Sequence, residues 1–164
     1  MDRERQNSVY VSMMIDTLKR KETILTTLYK QTKEQERFLK SEELDVDEFN
    51  QLLEKKGSQI EELNVLDEGF DALFKMVEKE IVSNREAYRE DIQTMQKQIT
   101  SVSELGVKIQ ALEHQNSNRL KAFLAEQRKS IKQFHLNNKS TADYYKNMAN
   151  AHKPEQSYFF NETK

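Results

Sequence analysis

The chain has 164 residues, a formal net charge of −2, no cysteine, one proline and three glycines, which is about the length of one domain. A near-neutral balance gives no general attraction to phosphate backbones, so nonspecific nucleic-acid binding is excluded as a first reading; the absence of cysteine excludes a disulfide framework and a thiolate metal site. A third of the residues are charged and only 36% are apolar or aromatic, too few for a thick globular core but enough for long amphipathic helices that each bury one stripe.

Pro154 is the only proline, so almost the whole chain lacks the residue that locks φ and removes a backbone donor. Apolar residues return every three or four positions from Val9 to Phe134, the helical period. The spacing predicts a first helix over about 10–40, with Val11, Met14, Ile15, Leu18, Leu25, Leu28 and Tyr29 on one face. Its second half is polar: the stretch KQTKEQER, Lys30 to Arg37, offers nothing apolar and is expected to be solvated or to lie at the end of a bundle.

A break follows at SEELDVDEF, where Asp45 can cap a second helix and Glu48 stands at capping-box spacing. This helix is predicted over 46–82. A heptad from Phe49 puts Leu52, Leu63, Leu66, Phe70, Leu73 and Val77 on positions a and d, and Leu53, Ile60, Phe74 and Ile81 on e. Three columns make a stripe wide enough for two neighbours, which favours a bundle over a two-stranded rod. Gly57 falls on the polar side, and Gly69 borders the stripe where a missing side chain would let another helix come close.

A third helix is predicted over 85–137, carrying Tyr88, Ile92, Met95, Ile99, Val102, Leu105, Ile109, Leu112, Leu120, Phe123, Ile131 and Phe134 in register. Ser83 and Glu86 repeat the capping-box spacing and suggest a turn near Ser83 to Arg85; the alternative break is SVSELG, Ser101 to Gly106. Asn116 falls on the core column, where an asparagine fixes register at some cost in stability. The segment 138–164 is richer in Asn, Lys and Ser yet keeps Tyr144, Tyr145, Tyr158, Phe159 and Phe160, which a pure linker would not. The expected fold is all-α: an elongated antiparallel bundle of three long helices over 1–137, then a flexible, partly ordered C-terminal tail.

Catalytic patterns are absent. No HExxH, P-loop or GxGxxG occurs, and none of His114, His135 or His152 has a glutamate three residues before it, as an inward-facing di-iron pair would need. The expectation is a binding protein, not an enzyme, with no metal and no other cofactor. The N-terminus MDRERQNSVY lacks the apolar region of a secretory signal, and no apolar run approaches a membrane span. A cytoplasmic protein with no nucleic-acid or membrane partner is therefore expected.

The segment LLEKKGSQIEELNVLDEGF, Leu52 to Phe70, resembles the leucine-rich lysine–glutamate stretch of the FlgN family of flagellar export chaperones. LEHQNSNRLKAFL, Leu112 to Leu124, resembles that family's paired-asparagine segment, here Asn116 and Asn118, and the ending QSYFFNETK resembles its C-terminus. The resemblance implies a cytosolic chaperone that binds C-terminal amphipathic helices of hook-filament junction proteins and delivers them to the cytoplasmic domain of the export gate; a monomer or weak dimer is expected. The residues matching its substrate-binding third helix are Leu120, Phe123, Leu124, Ile131 and Phe134, with Tyr144 and Tyr145 next along the chain; Tyr158, Phe159 and Phe160 are expected either to form a docking tail or to pack on the chain's own bundle. For the helix-three residues, ordinary intramolecular core is the competing expectation. A FliT-like chaperone of the filament-cap protein and a homodimeric structural coiled coil are the alternative functions.

Overall fold

The structure is a computed structural model in which residues 2–127 are described. Three helices of nearly equal length follow one another: α1 (Asp2–Lys40), α2 (Val46–Ser83) and α3 (Arg89–Gln127), with a single 3-10 turn at Arg85–Tyr88 before α3. Each long helix has 38 or 39 residues, which at 1.5 Å per residue is about 57 Å. The helices pack on one another as an all-α bundle.

Hydrogen bonds fix the directions. Gln98 to Ile15, Asn116 to Thr32 and Arg119 to Glu36 keep sequence offsets of 83 or 84, so α1 and α3 run parallel. Arg20 bonds Glu62 and Lys56 bonds Gln35, a crossing order that makes α1 and α2 antiparallel. Backbone approach is close between α1 and each of the other two, while α2 and α3 come near each other at few points. α1 is thus the central stave.

Sequence explains why. The buried positions of α1 include Val11, Met14, Leu18, Lys21, Leu25, Leu28, Thr32 and Gln35, an unbroken heptad of alternating three- and four-residue steps. A seven-residue period sustained this long holds one seam against its neighbours along a left-handed supercoil. α1 begins at Asp2, earlier than the Tyr10 that apolar spacing suggests, and Asp2 and Glu4 suit the positive end of its dipole.

The two connections differ in their chemistry. Asp45 caps α2 as its spacing predicts, accepting from the Glu48 backbone N–H at 3.1 Å. The second turn falls at the predicted place, but not through the predicted box. Ser83 Oγ donates to the Glu80 carbonyl at 3.3 Å, and Asn84 opens the 3-10 turn with no side-chain cap. Tyr88, 8% exposed, then folds into the core beneath that turn. α3 runs unbroken through Ser101–Gly106, so the alternative break is not used.

The apolar core comes in three blocks. The first gathers Val11, Met14, Leu18, Phe70, Phe74, Val77, Ile81, Ile92, Met95 and Ile99. The second holds Ile24, Leu25, Leu28, Ile60, Leu63, Val102 and Ile109, and the third Phe49, Leu120 and Leu124. Two sets of polar contacts separate them.

Gly69 is exposed, and a Cβ built there meets nothing within 4 Å. It does not admit a neighbouring helix of this chain, contrary to its expected role at the edge of the stripe. Gly57 also has open space around its Cβ position, though it is half-buried.

Candidate functional site

The third block and the polar layer beside it bring together more of the singled-out residues than any other part of the described chain. α3 contributes Glu113, Asn116, Arg119, Leu120, Phe123 and Leu124; α1 contributes Thr32, Gln35, Glu36, Phe38 and Leu39; α2 contributes Phe49, Leu53 and Lys56.

The polar layer sits where KQTKEQER crosses the bundle. That stretch is not solvated throughout: Thr32 and Gln35 are 0% and 2% exposed, because the α1 heptad carries both onto the seam. Lys56 is likewise 2% exposed. Its ammonium donates to Gln35 Oε1 at 2.7 Å and to Glu113 Oε1, forming an ion pair between α2 and α3. Burial lowers the Lys56 pKa, and the adjacent Glu113 charge and hydrogen bond oppose that shift.

Asn116, 0% exposed, closes the layer on the other side. Its Nδ2 donates to the Thr32 carbonyl at 3.0 Å, and its Oδ1 accepts from Arg119 Nη1 at 3.2 Å. Arg119 also donates to Glu36 Oε2 at 3.2 Å, tying α3 to α1. Thr32 Oγ1 donates to the Leu28 carbonyl at 2.6 Å. Nearly every buried polar side chain in this layer has a partner, the condition under which a polar layer specifies one arrangement without a large desolvation loss. A smaller layer lies between the first two blocks, where Lys21 pairs with Asp67 at 2.6 Å and Ser101 bonds Glu22 at 2.9 Å.

Leu120 and Leu124 are 2% and 7% exposed, packed with Phe49. They do not line an uncovered groove. The second half of α1 covers them with Phe38 and Leu39, and Leu44, Val46 and Leu53 complete the surround. The polar stretch of α1 does not leave them open, because Phe38 and Leu39, which follow it directly, pack over this block. Phe123 is different: it is half-buried at the rim, as are Phe38 and Leu53. Ile131, Phe134, Tyr144, Tyr145, Tyr158, Phe159 and Phe160 lie outside the described residues.

Spacing singled out Asn116 but passed over Lys21, Lys56, Thr32, Gln35 and Glu113. The available signal was the heptad itself, since extending it from Leu25 and Leu28 lands on Thr32 and Gln35. Among the described residues no group of three His, Asp or Glu side chains is placed to hold a metal ion. No described helix is long and apolar enough to cross a membrane. No family model, curated protein or solved structure matches the chain.

Proposed function

We propose that the chain is a helix-binding export chaperone of the FlgN-like kind, acting in the cytoplasm without a cofactor. Its cargo is the C-terminal amphipathic helix of a hook-filament junction protein, held for delivery to the export gate.

The observation that carries this reading is the composition of the third block. Three buried residues are packed against six half-buried apolar ones, Phe38, Leu39, Leu44, Val46, Leu53 and Phe123. A rim of half-exposed aromatic and aliphatic side chains around a firm apolar floor suits the helix-in-groove mode, in which an amphipathic helix lays its apolar face on such a surface. The resemblance over Leu112 to Leu124 falls on the same end of the bundle. Phe123 and Phe38 are then the contact residues, while Leu120 and Leu124 support them from beneath.

The test is titration of a junction-protein C-terminal helix into the full-length chain by calorimetry. Phe123→Glu is expected to weaken binding at least tenfold while circular dichroism keeps the helical signal. Leu124→Glu is not a clean probe, because Leu124 is buried and the substitution would bury a charge. Undiminished affinity of Phe123→Glu and Phe38→Glu would place the site elsewhere. No binding of the wild-type chain to junction or cap proteins would remove the chaperone reading.

A further inference from the structure

α2 is apolar on two opposite faces over one stretch. Its inward face there carries Leu63, Phe70, Phe74 and Val77. Its outward face carries Val65, Gly69, Ala72 and Met76, spaced four, three and four residues apart and therefore on a single stripe. Val65 and Met76 are 67% and 61% exposed, and Gly69 and Ala72 are exposed between them. A surface helix needs only one apolar stripe to hold its place in a bundle. The second stripe is left with no neighbour among the described residues.

The α1 rim extends this surface. Arg20 and Glu62 meet across the α1–α2 edge at 2.8 Å. One heptad back along α1 and one heptad on along α2 stand Met13 and Gly69, so antiparallel packing sets Met13 at the equivalent place on the same edge. Met13 is 46% exposed.

On the flank of the stripe opposite the Arg20–Glu62 edge the charges are ordered. Glu61 and Glu68 precede its centre, and Lys75 and Lys79 follow it. All four are exposed. A two-fold axis passing between Gly69 and Ala72 pairs Val65 with Met76 and Gly69 with Ala72 of a second copy. The same axis sets Glu68 beside Lys75 and Glu61 near Lys79. A parallel pairing would bring none of these acids onto one of these bases.

We infer that this outward face of α2 is a self-association surface, on which a second copy of the chain docks antiparallel about a two-fold axis between Gly69 and Ala72. Gly69 is the point of closest approach: the open space above its Cα and the short side chain of Ala72 let the two backbones come together. The stripe from Val65 to Met76 is about 17 Å long, so the dimer is reversible and concentration-dependent. The surface is separate from the proposed cargo rim, and Phe123→Glu should leave it unchanged.

Sedimentation velocity of the full-length chain over a roughly hundredfold concentration range should show monomer passing to dimer. Met76→Glu should raise the dissociation constant at least tenfold without loss of helical dichroism, since Met76 lies outside the core. Lys75→Glu should weaken the dimer, and adding Glu68→Lys to it should restore the association. The chain has no cysteine, so geometry can be read directly. A mixture of Gly69→Cys and Ala72→Cys chains should oxidise to a mixed disulfide dimer faster than either forms its own. A wild-type chain that stays monomeric, or a dimer indifferent to Met76→Glu, would overturn the inference.

Discussion

Lys56 of α2 and Glu113 of α3 form an ion pair whose side chains are only 3% and 10% exposed, on the side of the bundle where the helix backbones approach least closely. A long lysine and a glutamate can bridge a gap that shorter apolar side chains would leave open. Removing one partner strands the other. Lys56→Met is expected to cost about 3–5 kcal/mol, whereas Lys56→Met with Glu113→Leu should be near neutral or more stable by about 1–4 kcal/mol. Urea unfolding of the two single variants and the double variant decides this. Simple additivity of the single losses would mean that the two residues do not act as a pair.

The two asparagines of α3 should behave differently. Asn116 is fully buried and bonds the Thr32 carbonyl, while Asn118 is exposed. Asn116→Ala is expected to cost about 1–3 kcal/mol through unmet hydrogen bonds, and Asn118→Ala to stay within about 0.5 kcal/mol of wild type. Equal thermal shifts for both would contradict the placement of Asn116.

Helix caps give a second matched comparison. Asp45→Ala should cost about 0.5–2 kcal/mol, because it deprives the Glu48 N–H of its acceptor. Ser83→Ala should be close to neutral, since its hydroxyl only adds a bond to a carbonyl within its own helix. Melting temperatures of the two variants are a sufficient readout.

Gly57 sits inside α2 with free space where a Cβ would lie. Gly57→Ala should therefore stabilise the chain by roughly 1 kcal/mol, the difference in helix propensity. A drop in denaturation midpoint would show that the space is needed.

Alkaline pH separates two buried groups. The Tyr88 phenol is held above its ordinary 10.0, first by burial and then by the carboxylates of Glu80, Glu4 and Asp91. From pH 10.0 upward the unfolded chain releases this proton while the folded chain keeps it, so stability falls as pH rises. Lys56 has the opposite sign. Burial sets it below its ordinary 10.5, so between its folded value and 10.5 the unfolded chain binds the extra proton and stability rises with pH. Urea midpoints followed from neutral to alkaline pH should show Tyr88→Phe gaining on wild type only above pH 10.0. A constant gap between the two curves would count against the burial of Tyr88.

Much of the helical plan is legible from apolar spacing and turn chemistry: Asp45 marks the start of α2, and the α2–α3 turn falls near Ser83. What spacing hides is the inside of the seam. A hydrophobic pattern registers Leu28 and then falls silent at Thr32 and Gln35, although the helix continues to turn those positions inward. Lys56 is hidden for the same reason, since a lysine on a charged helix looks like solvated surface until Glu113 arrives from a residue 57 positions away. The cover over Leu120 and Leu124 is hidden in the same way. Leu120 and Leu124 pointed to α3, but whether they lie open depends on Phe38 and Leu39, which only the parallel packing of α1 and α3 brings alongside.

The alternation of apolar blocks and polar layers along the staves has a consequence for assembly. A helix with an unbroken leucine seam can slide one heptad past its neighbours and still bury oil against oil. Here a slip of seven residues would carry Lys21 away from Asp67 and to the level of Met14 or Leu28, and Thr32 to the level of Leu25. An unpaired charge among methionine, leucine and phenylalanine is penalised by several kcal/mol. A few polar side chains therefore act as a parity check on the zipper, rejecting alignments that hydrophobicity alone would accept.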